Sequence, residues 1–191
     1  MGMLFPRVVP KSYDLTNVLT QPFPPDDDLV VVLVASGLNS QSDEEDSYVS
    51  QAGLKSDHGV SWEEAYSMSM LHLEQADAAF QVGTRDDGAA QFVLLTGQRH
   101  VAARILNPKS LRKMRADLGG VDYLLAIPTL DRLVAMRLDD VDMIRDLAAE
   151  EWKAHSTDPS PVSKHLYRIV GVNAEIVRER ALDSVAQTGW N

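Results

Sequence analysis

The side chains best suited to acid–base or metal chemistry are five histidines, His58, His72, His100, His155 and His165, and a scattered set of aspartates. Asp57 and His58 are adjacent and form a fragment of the kind used to move a proton or hold a cation. Asp131 and Arg132 form a second polar pair. A site built from Asp57, His58, His100 and Asp131, with Arg132 beside it, is the one enzymatic constellation the sequence offers, and it names no reaction. No two histidines stand four apart on a helix, and no His-Glu-x-x-His occurs, so no metal site is expected. No G-x-S-x-G elbow and no cysteine supply a nucleophile, and Ser110 and Ser163 read as ordinary polar residues of a helix or loop. Neither a Walker A loop nor a G-x-G-x-x-G turn is present, so no cofactor is expected. For Asp131 there is also a plain structural use, because aspartate stabilises turns by bonding its own backbone.

Two charged stretches have other uses. Residues 109–115, KSLRKMR, follow Arg99 and Arg104. On a helix, Lys109, Arg112 and Lys113 share a face away from Leu111, Met114 and Leu118. That face could meet a nucleic acid, but no aromatic residues interleave with it and the chain as a whole is acidic. Residues 39–47, NSQSDEEDS, are rich in carboxylates yet lack the alternating ligands, central glycine and terminal glutamate of a calcium loop, and read as an exposed loop.

The formal net charge is −10. It favours solubility, disfavours nucleic acids and anionic membranes, and suits a basic protein partner. No apolar run approaches the roughly 18 residues of a membrane-crossing helix. The N-terminal MGMLFPRVVPKS lacks the apolar core of a secretory signal, and Pro6 stands where a myristoylation motif needs serine or threonine. The absence of cysteine excludes disulfides and fits the cytoplasm.

The elements that must position these residues centre on residues 121–138, VDYLLAIPTLDRLVAMRL. Two apolar runs flank Thr129, Leu130, Asp131 and Arg132, with Pro128 expected to end the first. They form an antiparallel pair covered on both faces. Upstream, Ser61 and Glu64 make a capping box that opens a helix over residues 62–79. A hairpin follows, with strands at 79–83 and 91–96 around a turn at 85–88. Asn107-Pro108 starts another helix, which Gly119 stops. Asp139 or Asp140 caps a helix reaching residue 154, with Val141, Ile144, Ala148 and Trp152 on its apolar face. A last hairpin joins 165–170 and 175–178. Residues 29–35, LVVVLVA, are a buried strand.

The expected fold is therefore α+β, an antiparallel sheet of hairpins with helices packed mainly on one face, in the order α-ββ-α-ββ-α. Residues 1–28, broken by five prolines, read as an extended arm, residues 29–180 as a single domain, and residues 181–191 as a tail.

The block DYLLAIPTLDRLVAMRLDD resembles the C-terminal part of the bacterial DUF1444 family: a strand ending in proline, an acidic residue close behind, then a second strand. The matching positions are residues 124–128, Asp131 and residues 133–135. DDLVVVLVA (27–35), SMSMLHLEQ (67–75), HVAARILNP (100–108) and SKHLYRIV (163–170) are similar to other blocks of that family in the same order, and with the first block they cover 54 of the 191 residues. Leu130 stands where family members often carry an arginine before the aspartate. The resemblance implies a bacterial, cytosolic α+β protein and brings no activity with it. The order of elements is also loosely similar to that of small acidic secretion chaperones, which bind extended segments of other proteins.

These features favour a non-enzymatic acidic protein-binding module, such as an adaptor, a chaperone-like protein or an immunity-type protein. The alternatives are an enzyme with a non-standard Asp/His site and a nucleic-acid accessory protein using Lys109, Arg112 and Lys113. The partner and the oligomeric state are not legible.

Overall fold

The structure is a computed structural model that describes residues 3–36, 47–97 and 100–190. The contacts divide it into two compact units, Met1–Asp77 and Ala78–Asn191. The boundary falls in the short link after the first long helix, within the 29–180 span that the sequence reading takes as a single domain. Most of the acidic stretch 39–47 lies outside the described residues.

In the first unit, β1 (Met3–Pro10) pairs antiparallel with β3 (Leu29–Ser36) along its whole length, and β2 (Thr20–Pro22) pairs with the other side of β3. The two-residue β4 (Ser47–Tyr48) adds to the end of β3. Within the expected extended arm, Met3–Pro10 and Thr20–Pro22 are thus strands of this sheet. Pro6 and Pro10 are tolerated because β1 is an edge strand, where a missing N–H breaks no ladder on the outer side. β3 has no polarity alternation because it is buried on both faces, with Leu29 through Val34 all inaccessible.

A short α1 (Gln51–Gly53) and a π-turn over Leu54–His58 lead to α2 (Trp62–Gln75). The capping box forms as expected: Glu64 N donates to Ser61 Oγ at 3.3 Å, and Ser61 N donates to Glu64 Oε2 at 2.9 Å. Leu73 and Ala65 of α2 are buried, and Ala65 packs in a cluster with Leu4, Leu33, Val49 and Leu54. His72 Nδ1 lies 2.8 Å from the carbonyl oxygen of Leu4, which ties α2 to β1 and makes His72 structural.

The second unit is one six-stranded antiparallel sheet. Its strands are β5 (Ala78–Thr84), β6 (Ala90–Gly97), β7 (Tyr123–Thr129), β8 (Arg132–Arg137), β9 (His165–Val170) and β10 (Glu175–Ala181), in the spatial order β10-β9-β7-β8-β6-β5. Three helices accompany them: α3 (Pro108–Asp117), α4 (Val141–Thr157) and α5 (Leu182–Thr188). With α2 ahead of β5, the chain runs α-ββ-α-ββ-α through α4, an α+β fold built on an antiparallel sheet of hairpins.

The period of two along β7 and β8 sorts the core into two layers. Leu124, Ala126, Val134, Met136 and Leu166 meet Ile144 and Ala148 of α4 and Leu182 and Val185 of α5. On the other face, Tyr123 Oη donates to the Leu111 carbonyl of α3 at 2.9 Å, and a 3-10 turn over Ala102–Leu106 lies near β7 and β8. The expected tail is in fact α5, with Leu182 and Val185 fully buried. β7 also runs one residue past Pro128, because a register shift between Ala126 and Thr129 removes the need for the missing N–H. Val141, expected on the apolar stripe of α4, is instead exposed at its first turn.

Replacing Ser61 with alanine deletes one half of the capping box. Ser61→Ala is expected to lower stability by about 1 kcal/mol, read as a shift in the urea midpoint without a change in slope.

Candidate functional site

The β7–β8 turn carries Asp131 and Arg132, and both are absorbed by the fold. Thr129 Oγ1 donates to Asp131 Oδ1 at 2.7 Å, so the carboxylate holds its own turn. Leu130 is buried, and its carbonyl accepts from Ala102 N at 3.0 Å, while the Asp131 carbonyl accepts from Gly97 N at 3.2 Å. The turn thereby fixes the end of β6 and the 3-10 turn. His100, just ahead of that turn, is buried, and its carbonyl accepts from Ala103 N at 3.2 Å. His58 belongs to the π-turn of the first unit, and neither its side chain nor that of Asp57 is among those described. No hydrogen bond or ion pair links His100 to Asp131 or Arg132 among the described residues.

Arg132 has a partner that sequence reasoning passed over. Its Nε donates to Glu151 Oε2 and its Nη2 to Glu151 Oε1, both at 2.7 Å, a bidentate fork. Glu151 is 0 % exposed. The signal was there: Ile144, Ala148 and Glu151 follow the apolar spacing of α4, so a carboxylate on that stripe demanded a buried cation. Burial pushes the Glu151 carboxyl upward, against the pull of the guanidinium, and the fork with Glu151 holds Arg132 still more firmly charged. One turn further along α4, His155 Nδ1 lies 3.1 Å from the Pro128 carbonyl oxygen, and its ring stacks on Trp152. This polar cluster clamps α4 to the end of β7. Ser163 is likewise structural: its Oγ shares a 2.6 Å bond with Tyr167 Oη and accepts from His165 N at 3.1 Å.

The basic residues Lys109, Arg112 and Lys113 are exposed on α3, as their spacing implies. Asn107 caps the helix, its Oδ1 accepting from Lys109 N at 2.8 Å and Ser110 N at 3.3 Å, and Pro108 occupies the first turn. Ser110 and Lys113 stand in a Ser-x-x-Lys spacing. Lys113 Nζ, however, is held by Asp117 at 2.8 Å and sits 4.4 Å from the centre of the Phe80 ring. Of the basic residues of α3, Lys113 thus reaches over β5.

β5 is the terminal strand on the β6 side of the sheet and is exposed along most of its length. Among the described residues it pairs with β6 alone. Its sequence, AAFQVGT, has no charge. Phe80 and Val82 share the α3 face and are each 42 % exposed. On the opposite face Phe92 lies so close over Gly83 that a Cβ there would strike its ring, which keeps this part of the edge narrow. The other edge, β10, is different. It carries Glu175, Arg178, Glu179 and Arg180, and its register shifts between Arg178 and Ala181. Charges and irregular register are the usual protection of a sheet edge, and β5 lacks the first entirely.

No family model, curated protein or solved structure matches the chain. The site must therefore be judged on its chemistry. That chemistry is an uncharged, solvent-facing strand with two half-exposed apolar side chains, Phe80 and Val82, and the Lys113 ammonium over the Phe80 ring.

Arg132→Met leaves Glu151 buried without its cation and should destabilise the chain by about 3–5 kcal/mol at neutral pH. The loss should shrink as pH falls. An acid whose folded pKa is raised favours the fold while protonated, and that contribution is lost as pH rises from its ordinary 4.5 through the raised value. Urea melts of the variant and the parent between acidic and mildly alkaline pH measure this difference, and Arg132→Met combined with Glu151→Leu should recover most of it.

Proposed function

We propose that this chain is a non-enzymatic protein-binding module that takes an extended segment of a partner protein as an additional strand beside β5. The observation that carries this reading is the contrast between the two sheet edges: each pairs on one side and has one register shift, but β10 carries four charges whereas β5 carries none and is exposed along most of its length. Strand addition would supply main-chain hydrogen bonds for affinity, and the Phe80–Val82 face would select alternate side chains of the incoming segment. The acidic surface, at a net −10, keeps such a module soluble and favours partners with basic flanks.

The competing uses of the same residues are less well supported. Asp131 and Arg132 are engaged in the turn and in the fork to Glu151, which leaves an enzymatic site without its central pair. A nucleic-acid face on α3 would have to act with Lys113 already bound by Asp117 and against the negative charge of the whole chain.

Val82→Lys places a charge on the open edge, the device by which natural edge strands refuse partners. The variant should keep the far-ultraviolet circular dichroism and urea midpoint of the parent, because Val82 is already half in solvent. It should lose the protein partner that the parent retains when both are used as bait under mild conditions in extracts of the native host. Equal retention by parent and variant would contradict the reading.

A further inference from the structure

We infer that the β5 edge also takes β5 of a second copy of this chain, in antiparallel register about a two-fold axis through Gln81. This rests on the strand-addition reading and names an occupant for the edge. An axis at Gln81 sets Phe80 of each copy opposite Val82 of the other, on the face shared with α3. An aromatic ring opposite a β-branched side chain is a favourable cross-strand pair, and the symmetry makes it twice. The other face brings Ala79 opposite Gly83, two residues small enough to leave room for the Phe92 ring that already lies over Gly83.

The flanking charges select the direction. Asp77 precedes the strand and Arg85 follows it, and both are exposed. In the antiparallel register each Asp77 meets Arg85 of the second copy. A parallel in-register pair would instead set aspartate against aspartate and arginine against arginine, which is unfavourable. Between these ends the strand itself carries no charge, and the one cation over it, Lys113 at the Phe80 ring, is paired with Asp117. The ladder with β6 is regular from Ala78 to Gly83, with a shift only at Thr84, so the strand is straight enough to template a copy of itself.

The contact is small. Seven residues at about 3.4 Å each make a short ladder, and two chains at −10 repel one another. The pair is therefore reversible rather than obligate. Its use follows from that weakness: self-pairing covers an aggregation-prone edge until a better-matched segment displaces the second copy.

Sedimentation equilibrium of the full chain over a wide concentration range tests this. The mass should rise from 21.1 kDa toward twice that value. Gln81→Lys sets two ammonium groups across the axis, and Gln81→Glu sets two carboxylates there. Each variant alone should stay monomeric, and an equimolar mixture should associate again, an outcome that misfolding cannot produce. A parent that remains at 21.1 kDa throughout, or a Gln81→Lys variant that associates as the parent does, overturns the self-pairing. If the parent is monomeric while Val82→Lys still abolishes partner capture, strand addition stands and only the second copy is removed as occupant. If capture is also unaffected, strand addition falls as well.

Discussion

Burying β7 on both faces leaves its peptide groups out of reach of water, so each must find a partner within the protein. β8 and β9 flank it and supply most of them. Where the β7–β9 ladder ends, the segment leading into β9 takes over: Ser163 N donates to the Ile127 carbonyl at 3.2 Å, and Val162 N to that of Pro128 at 2.9 Å. Pro128 also receives His155 from α4. The demand for satisfied backbone thus draws a strand from each side, a helix from one face and a loop from below onto one short segment. The other strands of this sheet are added outward from it, and the cost of finite size falls on the outermost two.

The clamp between α4 and the central hairpin works by the same logic in charged form. Glu151 is buried where an apolar residue would pack more cheaply, and it is tolerated because Arg132 meets it with two short, parallel bonds. Such a pair adds little net stability, yet it has a demanding geometry. It sets the rotation of α4 against β8, because a slip of one residue on α4 would aim the carboxylate away from the guanidinium. Asp140 closes the other end of the connection. Its Oδ1 accepts from Met143 N at 3.0 Å as a helix cap, and its Oδ2 accepts from Gln91 of β6 at 3.1 Å.

Local signals were legible in the sequence, and non-local ones were not. The capping box of α2, the Asn107-Pro108 start of α3 and the central hairpin each depend on a few neighbouring residues, and each lies where those residues imply. β1 was obscured because its prolines argue against a strand, and only its place at an edge makes them harmless. α5 was obscured because seven residues carry too few apolar positions to show a period, although Leu182 and Val185 have the right spacing. The division into two units leaves no mark in composition. As for the candidate site, the exposure of Lys109, Arg112 and Lys113 followed from helical spacing. The roles of Asp131 and Arg132 depended on Thr129, two residues away, and on Glu151, nineteen residues away. That β5 is an edge depends on the order of all six strands, which no local pattern encodes.

The central claim is that β5 presents an unpaired, accessible backbone edge. Residue-resolved amide hydrogen exchange of the dilute full chain tests it most directly. Amides that point toward β6 should be protected, and the alternate amides between Ala78 and Gly83 should exchange as fast as those of the exposed turn at 85–88, while β7 stays protected throughout. Uniform protection along β5, equal to that of β7, would mean that the edge is already covered and would contradict the account.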